Sequence, residues 1–173
     1  MLIDTFNDTI DIWISELNRF DLAQLLLKPD DGSWSLGQLY NHLIEDTGWF
    51  NDQIEISLTD EANRNVQMSE AARTLFAKGS FSDERIQGDP LSAEKVKQPK
   101  SIKELRTGLE QLKFNTNVIW SKMQSMQQFG KSEHPGLGFF NCYEWLQYSE
   151  MHMRHHLRQK ERIERFLNTG KTV

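Results

Sequence analysis

The stretch EWLQYSEMHMRHHLRQKERI, residues 144–163, decides the fold prediction because it combines helical periodicity with a cluster of histidines. Three of the five histidines in the chain lie in this stretch, at positions 152, 155 and 156. Positions i and i+4 share one face of a helix, so we expect His152 and His156 to point the same way. His155 lies about 100° around the helix from His156 and is expected outside that pair.

The histidine pair interrupts an apolar stripe on the predicted last helix, which we place between Asn141 and Asn168, with Gly170 just past its end. Steps of three, four or seven residues join the members of this stripe: Trp145, Ser149, His152, His156 and Ile163. Two buried imidazoles are costly unless something satisfies them, and a metal ion does so. Two alternatives stay open: a chance pair on the surface, or core histidines bonded to carbonyl groups.

Three further segments have the periodicity of amphipathic helices. Their apolar positions are Phe6, Ile10, Trp13, Leu17 and Phe20 in the first, Leu36, Leu39, Leu43, Phe50 and Ile54 in the second, and Ile102, Leu105, Leu109, Leu112, Ile119, Met123 and Met126 in the third, with Thr116 in the remaining core position. The first helix is predicted to end near Lys28 and Pro29. The second is predicted to start at a capping box formed by Ser35 and Gln38.

The connections between these helices differ in character. Residues 59–67 are polar and predict a break, and Ser69 is expected to begin a short helix. Residues 78–100, which contain Gly79, Gly88, Pro90 and Pro99, are predicted to form a long crossover connection that packs over a face or shapes a site. The segment HPGLG, residues 134–138, predicts a turn, and no segment shows sustained strand alternation.

Four amphipathic helices with one long crossover predict an all-α four-helix bundle, with residues 1–173 forming a single domain. The alternative is two helical hairpins that serve a dimer.

Composition excludes several classes of function. The 173 residues carry a net charge of −5, so the chain lacks the basic surplus of a nucleic-acid-binding protein. No apolar stretch approaches the roughly 20 residues of a membrane span. The first residues show no features of a signal peptide, and the single cysteine, Cys142, cannot build a disulfide framework. We therefore expect a cytoplasmic protein that binds neither nucleic acid nor membrane.

A metal site with an open position normally takes three protein ligands, and His42 is the natural third. It lies on the second helix beside the predicted core positions Leu39 and Leu43. Nitrogen ligands favour a divalent transition metal over magnesium or calcium. Glu45 and Asp46 follow His42 by three and four residues, so either could orient its imidazole or act as a base; alternatively, they form a solvated helix face.

Two motifs resemble those of the DinB-like (DinB/YfiT) superfamily of metal-binding four-helix bundles. One is the pattern HxxxHxxQ, formed here by His152, His156 and Gln159; the other is WSLGQLYNHL, residues 34–43, with His42 seven residues after the serine. The crossover and the HPGLGFF turn before residues 144–145 are also similar to the layout of that family. A sub-branch has arginine just before the second histidine, whereas this chain has His155.

The resemblance implies a down-up-up-down bundle, often a homodimer, with a metal ion held by His42, His152 and His156. With three nitrogen ligands, the expected ion is zinc or nickel, with iron and manganese as the alternatives. His155 and Gln159 are expected to lie behind the ligands or to line the pocket. Some members of the family transfer low-molecular-weight thiols, so the predicted functions are a metal-dependent hydrolase of a small molecule or a thiol S-transferase. The alternatives are a non-catalytic, stress-associated metal-binding dimer and a helical dimer module without metal.

Overall fold

The architecture is described from a computed structural model, which covers residues 1–59, 61–82 and 95–169. These residues form six helices and one small hairpin. The elements are α1 (Leu2–Leu17), α2 (Leu22–Leu26), α3 (Leu36–Thr59), α4 (Glu70–Lys78), α5 (Ile102–Ser125), β1 (Ser132–His134), β2 (Gly138–Phe140) and α6 (Cys142–Thr169). The four long helices, α1, α3, α5 and α6, are the four predicted from the apolar stripes.

Helices α3 and α5 run parallel, because their contacts follow the same order along both helices. Asn51 donates a hydrogen bond of 3.0 Å to Thr116, and one turn further on Glu55 pairs with Lys122. A parallel pair needs a long connection, and the chain leaves more than 40 residues between the end of α3 and the start of α5.

Helices α1 and α6 also run parallel. Thr9 donates to Glu150 over 3.0 Å, and two turns later Lys160 lies 2.7 Å from the carboxylate of Glu16. In both helices, the contacts advance toward the C-terminus together.

The two parallel pairs are antiparallel to each other. Early in α1, Asn7 bonds to Asn117, whereas Asn18 at its end bonds to Arg106, which lies earlier in α5. Neighbouring helices α3 and α6 also meet in opposite order, as the site contacts below show. The bundle therefore has the predicted down-up-up-down arrangement.

The core is built from the predicted stripes. All members of the first stripe are buried: Phe6, Ile10, Trp13, Leu17 and Phe20. In α3 and α5, the buried stripe positions are Leu36, Leu39, Leu43, Phe50, Ile54, Leu105, Leu109, Leu112, Thr116, Ile119 and Met123. In α6 they are Trp145, Ser149, His156 and Ile163. Ile102 is only partly buried. Met126 lies just beyond α5 and is exposed, so the third stripe ends at Met123 and not at Met126 as predicted.

The prediction that the first helix continues to Lys28 and Pro29 is wrong. α1 ends at Leu17, and a separate short helix begins after Asp21. The Asp21 side chain accepts a hydrogen bond of 2.8 Å from the backbone of Gln24, whose side chain in turn accepts one of 2.9 Å from Asp21. This capping box starts a new helix, while Phe20 remains buried in the link and prolongs the apolar pattern.

The predicted start of α3 is confirmed. Ser35 Oγ accepts a hydrogen bond of 3.1 Å from the backbone of Gln38, and Gln38 Oε1 accepts one of 3.1 Å from the backbone of Ser35. The end of the crossover packs against this start: Gln38 donates to the carbonyl of Val96, and Asn41 donates to the carbonyl of Lys97. The predicted crossover residues Gly88 and Pro90 lie outside the described residues.

The HPGLG segment forms more than the predicted turn. It joins two strands of three residues, paired antiparallel from Ser132 with Phe140 to His134 with Gly138. Strands this short show no alternation that a sequence pattern could reveal. The hairpin leads directly to Asn141, whose side chain accepts hydrogen bonds from the backbone of Tyr143 and Glu144 and thereby caps α6.

The predicted break after α3 and the predicted helix after Ser69 are both present, the latter with Ser69 as its cap. Gly170 lies outside the described residues. Across the described ranges, none of the helices is long and apolar enough to cross a membrane.

Candidate metal centre

Three histidines from two helices converge in the bundle. His42 lies in the second turn of α3, and His152 and His156 lie one turn apart on α6. Nε2 of His156 is 3.2 Å from Nε2 of His42 and 3.1 Å from Nε2 of His152. One ring nitrogen from each of the three lies within 4.8 Å of the others. The antiparallel packing of α3 and α6 thus brings together the three histidines that the sequence singled out.

Burial keeps the three imidazoles neutral at ordinary pH. The His156 residue is 7% exposed, and the side chains of His42 and His152 are 17% and 12% exposed. Removal from water lowers the pKa of His42 to about 4 and that of His156 to about 3, with the nearby histidines adding to the effect on His156. The pKa of His152 also lies well below its usual range because of burial. Neutral imidazole is the form that binds a metal.

The spacing of the nitrogens suits a shared ion. With metal–nitrogen bonds of about 2.0–2.1 Å, two neighbouring ligands on one ion lie about 2.8–3.4 Å apart, from octahedral to tetrahedral geometry. The two Nε2 distances from His156 fall in this range. Without an ion, Nε2 of His156 would lie at hydrogen-bond distance from two other ring nitrogens. It could form a hydrogen bond with each of them only if one nitrogen of the pair carried a proton and the other a lone pair. The three residues therefore fit a transition-metal ligand set.

Gln159 fixes the tautomer of His156. Its Oε1 lies 2.8 Å from Nδ1 of His156, so Nδ1 carries the proton and donates it to the amide oxygen. Nε2 of His156 then presents its lone pair to His42 and His152. Gln159 thus bonds a histidine of its own helix and orients its ring.

Of the two acidic residues after His42, Asp46 contacts two of the three histidines. One oxygen of Asp46 lies 3.5 Å from Nδ1 of His42, and the other lies 3.6 Å from Nε2 of His152. Burial, and secondarily the charge of Glu45, raise the pKa of Asp46 to about 6. Glu45 is exposed. Of the two carboxylates considered from sequence, only Asp46 lies where it can act at the cluster.

His155 does not join the cluster. Its ring packs against Phe81 with a centroid separation of 5.3 Å, and Arg158 donates a hydrogen bond of 2.9 Å to its Nδ1. It lies beside His156 with ring centroids 5.1 Å apart. His155 is therefore a neighbour of the histidine cluster.

Aromatic residues that sequence reasoning did not assign to the site enclose the histidines. Trp34 packs on His42 with ring centroids 4.6 Å apart, Phe50 lies 5.3 Å from His152, and Phe81 lies 6.2 Å from it. Trp34 is the first residue of the motif WSLGQLYNHL, residues 34–43, so the sequence contained a signal for its position near His42. Phe81 follows α4 in an irregular segment, where no periodicity could reveal it.

Two arginines of α6 hold the segment that carries Phe81. Arg154 donates to the carbonyl of Gly79 over 2.9 Å, and Arg158 donates to the carbonyl of Ser82 over 3.1 Å. Arg154 is itself fixed by the buried carboxylate of Glu150. One wall of the site thus depends on contacts between the start of the crossover and the helix that carries two of the histidines.

Comparison with known proteins identifies the fold. The sequence matches no protein-family model and no curated protein. The structure is similar to that of YfiT from Bacillus subtilis, described as "a probable metal-dependent hydrolase with an unusual four-helix bundle topology". The TM-score is 0.62 at 16% sequence identity, and the match covers 96% of this chain and 87% of that one. The chain therefore has the four-helix bundle fold of YfiT, which confirms the all-α four-helix bundle predicted from the sequence.

Proposed function

We propose that His42, His152 and His156 bind one divalent metal ion and that the protein is a metal-dependent enzyme. The observation that carries this proposal is the convergence of three buried, neutral imidazoles, with Nε2 of His156 within 3.2 Å of both partners. Three protein ligands leave at least one coordination position for water or substrate, as in catalytic zinc sites. Zinc and nickel suit three nitrogen ligands best, and iron or manganese would also suit if Asp46 contributes oxygen.

The reaction we propose is hydrolysis of a small molecule or transfer of a low-molecular-weight thiol. A bound ion of this kind lowers the pKa of a ligated water to about 7 or holds a thiol as its thiolate. The chain itself supplies Asp46 as the acceptor of a proton beside the cluster. It also supplies the aromatic side chains of Trp34, Phe50 and Phe81, which pack against the histidines. The fold of YfiT, a probable metal-dependent hydrolase, supports the first reaction.

The proposal includes a cytoplasmic setting, expected from the composition, and a homodimer, implied by the resemblance. Cys142 is buried at the start of α6, and burial raises the pKa of its thiol to about 11, so it is no nucleophile for thiol transfer. A thiol substrate would have to come from outside the chain.

A second candidate function is a metal-binding protein without turnover, such as a stress-associated dimer. The observation in its favour is the second oxygen of Asp46, which lies 3.6 Å from Nε2 of His152. A small movement of this carboxylate would place it among the ligands. A closed set of four ligands is typical of structural metal sites.

Metal analysis tests the site itself. Protein purified without chelators should contain about one equivalent of metal per chain, following from one cluster of three ligands. His152→Ala and His156→Ala should each lose it, whereas His134→Ala, a change in a histidine outside the cluster, should retain it. A metal-free wild type that also fails to bind added zinc or nickel would refute the proposal.

A substrate screen separates the two functions. The metal-loaded protein is assayed with glutathione, bacillithiol and mycothiol against a model electrophile, and with a panel of small esters and amides. Turnover that is lost in His156→Ala supports an enzyme. Stoichiometric metal without turnover toward any of these substrates favours the non-catalytic protein.

A further inference from the structure

Three buried side-chain atoms lack a hydrogen-bond partner within the described parts of the chain. They are Oγ1 of Thr47, Oγ of Ser149 and Nδ1 of His152. Thr47 and Ser149 are fully buried. Buried polar groups in proteins almost always have a partner, and ordered water supplies it where the protein does not. These three atoms therefore require a common explanation if they lie close together.

Their positions place them at one level of the bundle. Ser149 precedes His152 by three residues on α6, which puts the two side chains on neighbouring positions of one face. On α3, Thr47 lies in the same turn as Asp46 and Phe50, and both of these contact His152, the carboxylate at 3.6 Å and the ring at 5.3 Å. Thr47 and Ser149 thus flank His152 from the two helices that carry the histidine cluster.

Both residues also interrupt apolar stripes. Ser149 stands between Trp145 and His152 on the core-facing side of α6, and Thr47 stands between Leu43 and Phe50 on that of α3. A hydroxyl at a fully buried core position is costly unless it is hydrogen-bonded. Two such hydroxyls on either side of the same imidazole indicate a shared polar partner.

We propose that Thr47, Ser149 and His152 bind one internal water molecule, which orients His152 for metal binding. The water accepts a hydrogen bond from Nδ1–H of His152 and donates to the two hydroxyl oxygens, the three bonds that a buried water typically makes. With the proton on Nδ1, the lone pair of His152 lies on Nε2, which faces His156 at 3.1 Å. Thr47 and Ser149 are positioning residues, and their role rests on the proposed metal site.

The proposal completes a pattern around the cluster. Nδ1 of His156 bonds to Gln159, and Nδ1 of His42 lies 3.5 Å from Asp46. Ligand histidines usually donate the proton of their second nitrogen to a carboxylate, a carbonyl or a water, which fixes the ring and its tautomer. The bound water gives His152 the partner that the other two histidines take from side chains.

The experiment compares variants that remove the hydroxyls with variants that keep them. Thr47→Val and Ser149→Ala, singly and together, remove the partners of the water with little change in size. Thr47→Ser keeps its hydroxyl. Ser57→Ala is a matched control, since Ser57 is a buried serine of α3 whose hydroxyl bonds to the carbonyl of Ile54. Zinc affinity is measured by competition with a chelator.

We expect the double variant to bind zinc about 10- to 100-fold more weakly, the usual effect of losing such a partner. Thr47→Ser and Ser57→Ala should bind zinc as the wild type does. Equal affinity in the double variant and the wild type would overturn the proposal. Failure of the wild type to bind zinc would instead overturn the proposed function.

A second measurement reads the ring proton directly. Nitrogen-15 NMR of the zinc-loaded protein should show His152 as the Nδ1–H tautomer with a slowly exchanging ring proton. In the double variant, this proton should exchange rapidly. A His152 that is protonated on Nε2 in the wild type, or whose ring proton exchanges equally fast in both proteins, would contradict the proposal.

Discussion

Nε2 of His42 lies 3.2 Å from Nε2 of His156, although 114 positions separate the two residues in the chain. The contact joins α3 to α6, which are antiparallel neighbours but not consecutive helices. A metal ion bound here would link the two helices in the folded state alone. Metal binding should therefore stabilise the fold, and the first prediction follows from this coupling.

Added zinc should raise the melting temperature of the wild type. A ligand at 100 times its dissociation constant stabilises the native state by about 2.7 kcal/mol, which corresponds to about 5–10 °C for a chain of this size. His42→Ala should abolish this shift, as should His156→Ala. His134→Ala should keep the shift even if its own melting temperature falls. Differential scanning calorimetry with and without zinc checks the prediction, and an equal shift in His42→Ala would contradict it.

Asp46→Asn should weaken zinc binding by about 10- to 100-fold, because its carboxylate contacts His42 and His152. Glu45→Gln removes the same charge one residue earlier, on an exposed side chain, and should leave the affinity within a factor of two or so. The comparison separates a local contact from a general effect of charge. If both variants lose affinity equally, the contact of Asp46 is not responsible.

Acidification should destabilise the metal-free protein. An unfolded histidine takes up a proton near its ordinary pKa of 6.5, whereas the folded state holds the pKa of His42 at about 4 and that of His156 at about 3. Below pH 6.5 the unfolded state therefore binds more protons, and the free energy of unfolding decreases as the pH falls toward 4. The raised pKa of Asp46 has the opposite effect on the free energy of unfolding. This effect comes from one carboxyl group, whereas three imidazoles contribute to the decrease.

Urea denaturation in the presence of a chelator at pH 7.5, 6 and 5 measures this dependence. His42→Gln, which cannot be protonated, should show a smaller loss of stability between pH 7.5 and 5 than the wild type. A wild-type midpoint that does not change over this range would show that the imidazoles are not held neutral.

Gly37→Ala should destabilise the protein by about 1–3 kcal/mol, the usual cost of overpacking. A Cβ at this position would lie 2.7 Å from the ring of Pro99 and 2.8 Å from the carbonyl oxygen of Leu25. Gly48→Ala is the matched control on the same helix, since its nearest neighbour is Leu112 at 4.0 Å. It should be neutral or stabilise by up to about 1 kcal/mol, because alanine favours helices. Chemical denaturation of the two variants compares them directly.

The helices could be predicted because each buries one continuous stripe, and the stripe positions are nearly all buried. The capping residues Ser35 and Ser69 gave two helix starts correctly, since a cap depends on local sequence alone. The end of α1 could not be predicted from the stripe. Phe20 continues the apolar pattern beyond Leu17, although the chain has already left the helix there.

The histidine cluster could be predicted as far as its residues but not its surroundings. The spacing of His152 and His156 specifies a shared face, and His42 was singled out by its place beside the core positions of the second helix and by the resemblance of residues 34–43. The wall formed by Phe81 depends on a tertiary contact between an irregular segment and α6. The choice between Glu45 and Asp46 required the side-chain geometry, because both lie within one turn of His42.

The separation of His42 from His152 and His156 along the chain has a consequence for synthesis. While the ribosome makes the chain, α3 offers a single imidazole until the residues of α6 appear. At about 5–20 residues per second, the 114 positions between His42 and His156 take roughly 6–23 s to add. Capture of the proposed metal ion would therefore follow translation of nearly the whole described chain, and a newly made protein would compete for that ion with every faster-forming site in the cell.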